Sequence, residues 1–287
     1  MATPFLKWAG GKAKLAQAIL DRLPGTIGAY HEPFLGGGAV FFRFIGAHAG
    51  APALINDQNE LLAETYQVLR DRSDSLIEQL RGLSHRYLAE DPAGRAACYY
   101  AIRASEPADA AGRAARLIFL NRTCYNGLHR INRSGRFNVP HGRYVRPRIL
   151  DEANLRACAA ALATADVTSL DFEAACAAAV PGDAVYLDPP YFPLSPTSRF
   201  TAYTANSFGW PEQERLAATY RDLTRRGVVA LLSNSAHPAM AALYEGFEVE
   251  EVPMSRAINS RGDRRNSIPE LLISNANVLA GKILSPS

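Results

Sequence analysis

Four cysteines are few for a chain of 287 residues, and their placement excludes more than their number. Cys98, Cys124, Cys158 and Cys176 form no CxxC pair and no Cys/His cluster at zinc spacing. A disulfide framework is therefore not expected, no metal is expected, and a reducing compartment fits better. The opening segment MATPFLKWAGGK has no apolar core of the kind a signal peptide needs, and no run is long enough to cross a bilayer. The reading is a cytoplasmic protein without internal repeats or low-complexity linkers. WAGGK (Trp8–Lys12) is not a phosphate loop, because Lys12 is followed by Ala13 and no glycine stands at the required earlier spacing. The turn in EPFLGGG lacks the third glycine of GxGxxG, which disfavours a nicotinamide cofactor.

Acids are missing from one long stretch. Between Ala110 and Leu150 there is no Asp or Glu, while Arg113, Arg116, Arg122, Arg130, Arg133, Arg136, Arg143, Arg146 and Arg148 all fall there. The chain as a whole is nearly balanced, at a net charge of +3. The local excess, interleaved with Tyr125, Phe137 and Tyr144, points to a phosphate-facing surface. A smaller basic loop, Arg256–Arg265, reads equally as closing over a polyanion or as a plain surface loop.

What is present has the rhythm of an open α/β protein. Helical spacing over Leu15–Leu23 stops before Pro24-Gly25, and AYHEPF reads as a strand running into the glycine turn. AVFFRFIGA resumes as a helix, and APALIND is a second strand ending at Asp57. Residues 60–120 are mostly helical, and residues 123–148 have the texture of a hairpin and loops. Helical text follows from Asp151. Strands are then expected at DVTSL, AVYLD, GVVALLSN, FEVEEVPM and PELLISN, with a helix over PEQERLAATYRDLTRR. This alternation predicts a mostly parallel sheet, with residues 60–150 as an insertion of different texture.

Gly36, Gly37 and Gly38 between a strand and a helix let backbone approach a ligand beside a helix N-terminus. Asp57 closes the next strand about 20 residues on, where dinucleotide folds hold a ribose hydroxyl. The same residues serve equally as a tight turn and a helix cap, and both readings stand at this point. In VYLDPPYFPLS the prolines stop a strand abruptly behind Asp188. A carboxylate and a carbonyl at a strand's carboxyl end can accept both hydrogens of an exocyclic amine, and the Tyr191 ring can stack on a planar base.

Taken together, FLKWAGGK, EPFLGGG, IND, NRTCYNGLHRINRSGRFNVPHGRY, DPPYFPLSPTSRFTAYTANSF and NSRGDRRNSIPELLIS resemble, in order, the DNA adenine methylase family, the D12 or alpha class of N6-adenine methyltransferases. The resemblance implies a Rossmann-like S-adenosylmethionine-dependent methyltransferase fold, a mostly parallel twisted sheet with helices on both faces. It also implies an inserted, mainly helical target-recognition domain carrying a β-hairpin. The catalytic domain would comprise residues 1–59 and 151–287, and the DNA-binding insertion residues 60–150.

By motif match, Trp8, Lys12, Glu32, Phe34, Gly36 and Gly38 bind the cofactor, Asp57 holds its ribose, and Asp171 and Phe172 its adenine. Asp188, Pro189, Pro190 and Tyr191 hold the target base, with Asp188 also near the methyl donor. The resemblance further implies double-stranded DNA as partner and S-adenosylhomocysteine as product. The target adenine would be flipped out, most readily within GATC. Lys7, Arg122, Tyr125, Asn126, Leu128, Arg130, Asn138 and Pro140 are the expected DNA-binding residues. Methyl transfer would be direct. Cytosine carbon-5 chemistry needs a nucleophilic cysteine, usually after a proline, and no Pro-Cys occurs. Cys124 and His129 fall where relatives vary, and His141 stands where a Phe is common.

Overall fold

The computed structural model describes residues 1–132, 134–191, 208–254, 268–277 and 282–283. Arg133, the stretch following Tyr191 up to residue 207 and the Arg256–Arg265 loop lie outside the described residues.

In chain order the described elements begin with α1 (Ala16–Leu20), β1 (Tyr30–Glu32), α2 (Ala39–Ala47) and β2 (Ala53–Asn56). Four helices follow, α3 (Glu60–Asp71), α4 (Ser73–Leu88), α5 (Pro92–Ala104) and α6 (Ala110–Thr123), then a short 3-10 turn at Tyr125–Gly127. The second half carries α7 (Glu152–Leu162), β3 (Ala165–Thr168), α8 (Phe172–Ala177), β4 (Ala184–Leu187), α9 (Trp210–Arg225), β5 (Val229–Ser235), α10 (Pro238–Leu243), β6 (Glu248–Met254) and β7 (Ile268–Ser274). Most expected elements appear. The first helix is shorter than its apolar spacing suggested, and α8 and α10 carry too few turns to show a period.

Contacts divide the chain into two units, one of residues 1–16, 35–51 and 57–169, the other of residues 17–34, 52–56 and 170–287. The second unit holds six of the seven strands of the main sheet, in the order β2-β1-β4-β5-β7-β6. β1 pairs parallel with β2 and with β4, β4 pairs parallel with β5, and β7 runs antiparallel between β5 and β6. Strands β1 and β4 are therefore neighbours from which the chain proceeds in opposite directions along the sheet. In an open α/β sheet that is where the carboxyl ends leave a crevice.

Pleating decides which side chains meet. Val185 and Leu187 of β4 and Ala230 and Leu232 of β5 join Phe172, Leu216, Tyr220 and Leu223 in one buried apolar cluster. Tyr186 and Ser233, on the alternate register, face the other way, and their hydroxyls lie 2.8 Å apart.

In the first unit α6 is buried nearly all round, from Ala111 through Leu120. Ala and Gly in its first turns admit close neighbours, and Asp109 caps it by accepting from the Gly112 N–H at 2.9 Å. Its arginines correct the expectation that the basic stretch faces phosphate throughout. Arg113 pairs with Glu64, while Arg116 donates to the carbonyls of Ile102 and Arg103, the open C-terminal end of α5.

Candidate functional site

The glycine turn is built by contact rather than by composition alone. Gly36 and Gly38 have φ of 50° and 67°, a region costly for residues with a Cβ. A Cβ on Gly36 would lie 2.8 Å from Trp8 Cδ1, and one on Gly38 would lie 2.9 Å from the Tyr66 hydroxyl oxygen. Trp8 thus packs on the turn, and Tyr66 donates to the Gly36 carbonyl at 3.1 Å. Asp57 sits beyond β2 with one carboxylate oxygen accepting from the Gly36 N–H and the other from the Asn59 N–H, both at 2.9 Å. Burial pushes its pKa up, against the pull of those two bonds. Trp8, Gly36, Gly38 and Asp57 are therefore assembled as one cluster. Lys12, which is buried, donates to the Gly10 carbonyl at 2.7 Å.

The other expected cofactor residues belong to the second unit. Glu32 ends β1, is buried, and accepts from the Tyr30 hydroxyl at 2.7 Å. The Phe34 and Phe172 rings stack with centroids 5.5 Å apart. Asp171 caps α8 through the Glu173 N–H and pairs with Arg215 at 2.8 Å. The Arg215 guanidinium lies over the Phe172 ring, 4.7 Å from its centroid. Hydrogen bonding to Glu173, with the charges of Asp171 and Glu212 nearby, holds the Arg215 pKa above its usual value.

The Asp188–Tyr191 turn leaves the carboxyl end of β4 with three supports behind it. The Ser233 hydroxyl donates to Asp188 Oδ1 at 2.9 Å. The Gln213 amide donates to the Pro190 carbonyl at 3.0 Å, and Asn234 in turn donates to Gln213 Oε1. The Tyr191 hydroxyl donates to Glu270 at 2.8 Å, and burial, with the Asp188 and Glu270 charges, pushes its pKa far up. Pro189 is buried and Pro190 exposed. Ser233, Gln213, Glu270, Arg215 and Tyr66 are the site residues that sequence reasoning missed. One signal stood in the text, since the apolar run VVALL ends in Ser233-Asn234-Ser235, polar residues inside a buried strand.

The expected DNA-binding residues lie in the first unit, on and beside the hairpin. Bridges Ile131↔Phe137 and Cys124↔His141 define it. Arg130 reaches across to Asn138, donating to its Oδ1 at 2.7 Å, while the Asn138 N–H returns to the Arg130 carbonyl. Tyr125, Asn126, Leu128 and Pro140 are exposed, and the Tyr125 N–H donates to the Pro140 carbonyl. Asn126 has φ of 55°, a left-handed conformation that Asn tolerates. The Lys7 ammonium lies 4.7 Å from the Tyr144 ring centroid. His129 stacks on Trp8 at 5.1 Å, joining the hairpin's root to the cluster around the glycine turn. Arg122 is different. Its guanidinium donates twice to the Phe5 carbonyl and burial lowers its pKa, so it braces the N-terminal segment.

A glycine turn with a carboxylate beneath its backbone, and a second carboxylate at the switch point of a mostly parallel sheet, define a class. The sheet is that of a Rossmann-like methyltransferase. The model of the family described as D12 class N6 adenine-specific DNA methyltransferase matches residues 8–258. The type II methyltransferase M.MjaIII of Methanocaldococcus jannaschii is 43% identical over 284 residues, 95% of this chain and 98% of that protein. The DNA adenine methylase of Escherichia coli is 35% identical over 270 residues, 93% of each chain. The chain belongs to the D12 class of N6-adenine-specific DNA methyltransferases, enzymes that methylate adenine in DNA.

Proposed function

We propose that this enzyme uses S-adenosylmethionine to methylate the N6 amine of an adenine flipped out of duplex DNA, within GATC. The observation that carries the chemistry is Asp188 at the carboxyl end of β4, one oxygen held by Ser233. An ionised carboxylate offers about four acceptor positions over its two oxygens, so it can still receive an amine hydrogen. The N6 lone pair of adenine is delocalised into the ring. Acceptor bonds from Asp188 and the Pro189 carbonyl would localise it on nitrogen, and the Asp188 carboxylate would accept the proton that the methylated amine loses. The Tyr191 ring, tethered through its hydroxyl to Glu270, would present a fixed face for stacking.

The residues fit a nucleoside cofactor. Asp57 has acceptor capacity beyond its two backbone bonds for ribose hydroxyls, beside a glycine turn whose positive φ angles at Gly36 and Gly38 keep it tight. Trp8 and Lys12 are proposed cofactor residues of the same unit, and Glu32, Phe34, Asp171 and Phe172 are proposed by their motif match in the second unit, the last two for the adenine. When bound, the cofactor supplies an electrophilic methyl group. The protein's contribution is placement and a fixed electrostatic environment.

We assign target recognition to residues 60–150. The fork of Arg130 can span two acceptors on a guanine edge, worth about 1–3 kcal/mol of discrimination. Tyr125 would wedge beside the departing base, Asn126 meet the orphaned partner, and Leu128 and Pro140 contact a thymine methyl. Lys7 would reach the outer guanine, and Asn138 would set the Arg130 fork. The internal bonds of Arg122 favour a bracing role over direct contact. A DNA substrate places the enzyme with the nucleoid in the cytoplasm.

Methylation of duplexes carrying each single substitution of GATC tests the target. Activity confined to GATC, with relaxed choice at an outer base pair in Arg130→Ala, is expected. Equal activity on all duplexes, or methylation of an unrelated site, overturns the target. Asp188→Ala should abolish transfer while DNA binding persists, and near-normal turnover of that folded variant overturns the chemistry.

A further inference from the structure

Asp188 and Ser233 meet because of the sheet register. Leu187 and Leu232 are paired across the parallel β4–β5 ladder, so the next residue of each strand leaves the apolar cluster and turns to the opposite face. There the Tyr186 hydroxyl, the Ser233 hydroxyl and Asp188 Oδ1 form a chain of hydrogen bonds of 2.8 and 2.9 Å. Ser233 and Tyr186 are fully buried. A serine hydroxyl has a single proton. An ionised Asp188 can only accept, so that proton goes to the carboxylate, and the Tyr186 O–H must be the donor to Ser233 Oγ. The Tyr191 hydroxyl also contacts Ser233 while donating to Glu270, but an ionised carboxylate is the stronger acceptor, so the chain ends on Asp188.

We infer that Ser233 is a positioning residue for methyl transfer, holding Asp188 ionised and turned so that its second oxygen faces the substrate amine; this rests on the role proposed above for Asp188. The groups around Asp188 make such a donor matter. The Tyr186 and Tyr191 phenols lie close by, Glu270 holds Tyr191 from β7, and the Tyr30–Glu32 pair stands on β1. Glu32 and Glu270 are carboxylates, and like charge disfavours a further ionised carboxylate close by. A hydrogen bond donated to the charged form opposes that tendency.

The test compares three variants of the full-length enzyme on a duplex that the unaltered enzyme methylates. Ser233→Ala removes the donor to Asp188. Ser233→Cys keeps the volume but donates weakly. Tyr186→Phe cuts the same buried chain one link earlier and leaves the Ser233 proton on Asp188. The expected result is a kcat lowered about ten-fold or more in Ser233→Ala, the scale of a hydrogen bond to a charged group. Its KM for DNA and cofactor affinity should stay unchanged, and the acid limb of its kcat profile should move to higher pH. Ser233→Cys should move the limb in the same direction by less, and Tyr186→Phe should keep kcat within about three-fold with the limb in place.

Equal losses in Ser233→Ala and Tyr186→Phe, or an unmoved acid limb in both Ser233 variants, overturn the inference. Asp188→Ala separates the two levels. If it is inactive while Ser233→Ala is normal, the proposed role of Asp188 stands and that of Ser233 falls; if Asp188→Ala is active, both fall.

Discussion

Asp57 carries two tasks with one carboxylate. Its oxygens fasten the glycine turn through Gly36 and open α3 through Asn59, and the acceptor positions left over are those proposed for the ribose. Asp57→Ala should therefore weaken S-adenosylmethionine binding by about ten-fold or more, since a hydrogen bond to a charged group is worth roughly 1.5–3 kcal/mol. The pH dependence has a definite sign. Burial raises the Asp57 pKa, so this group protonates at a higher pH than an ordinary carboxylate as acid is added. A protonated Asp57 offers fewer acceptors, and cofactor affinity should begin to fall above the usual carboxylate range. Calorimetry across pH checks both statements. Unchanged affinity in the variant, or a flat acid profile in the unaltered enzyme, would count against them.

At the scale of elements, the hairpin depends on its root more than on its tip. Gly142 lies beside the Cys124↔His141 bridge, and its N–H donates to the Thr123 carbonyl at 2.8 Å. A Cβ there would run into the Cys124 carbonyl, whose carbon would be 2.6 Å away, and into the Tyr144 ring. Backbone atoms cannot swing aside as a flexible side chain does. Gly142→Ala should cost about 1–3 kcal/mol of stability, the usual scale of overpacking, readable by urea denaturation. Because Tyr125, Asn126 and Pro140 hang from the same root, DNA affinity should fall while cofactor affinity holds. Equal stability in the two proteins would show that the root relaxes freely. His141 adds to this anchorage, since its Nε2 lies 2.7 Å from the Tyr87 hydroxyl on α4.

At the scale of the molecule, residues 60–150 do not close on themselves. Asn121 exchanges bonds with both the N–H and the carbonyl of Lys7, and Arg122 holds Phe5. The expected boundary at residues 60 and 150 follows a change of sequence texture. The contacts of that unit also take in residues 1–16, 35–51 and 151–169.

Sulfur gives a further whole-molecule test. All four cysteines are free, and Cys124, Cys158 and Cys176 are buried. Burial pushes the Cys124 thiol up to about 11 and the Cys158 and Cys176 thiols up to about 12, against an ordinary value of 9.0. The fold thus favours the protonated thiol. That contribution is complete below the ordinary thiol value and is lost as pH rises through the folded values. Stability measured by denaturant should fall progressively above about pH 9. Replacing the three buried cysteines by Ala should flatten that fall, and an undiminished slope would assign it elsewhere. At neutral pH the half-exposed Cys98 should be the thiol that a labelling reagent reaches first.

Local rules were enough to read the glycine turn, the strand that stops at Asp188, the helices of residues 60–123 and the hairpin that follows. Periodicity, caps and chain-breaking residues act over a few positions, so the sequence by itself determined them. It also carried the family, through motifs whose order is linear. What it did not determine is which polar groups face one another. Nine arginines in an acid-free stretch look alike as text, yet Arg113, Arg116 and Arg122 hold Glu64, the end of α5 and the Phe5 carbonyl, while Arg130 reaches across its own hairpin. The supports of the Asp188–Tyr191 turn come from β5, α9 and β7, and those of Asp188, Pro190 and Tyr191 lie 45, 23 and 79 positions away in sequence. Such pairings exist only after strands have taken their order and register. Tertiary structure decided them, because a buried donor or acceptor must find a partner wherever the fold places one.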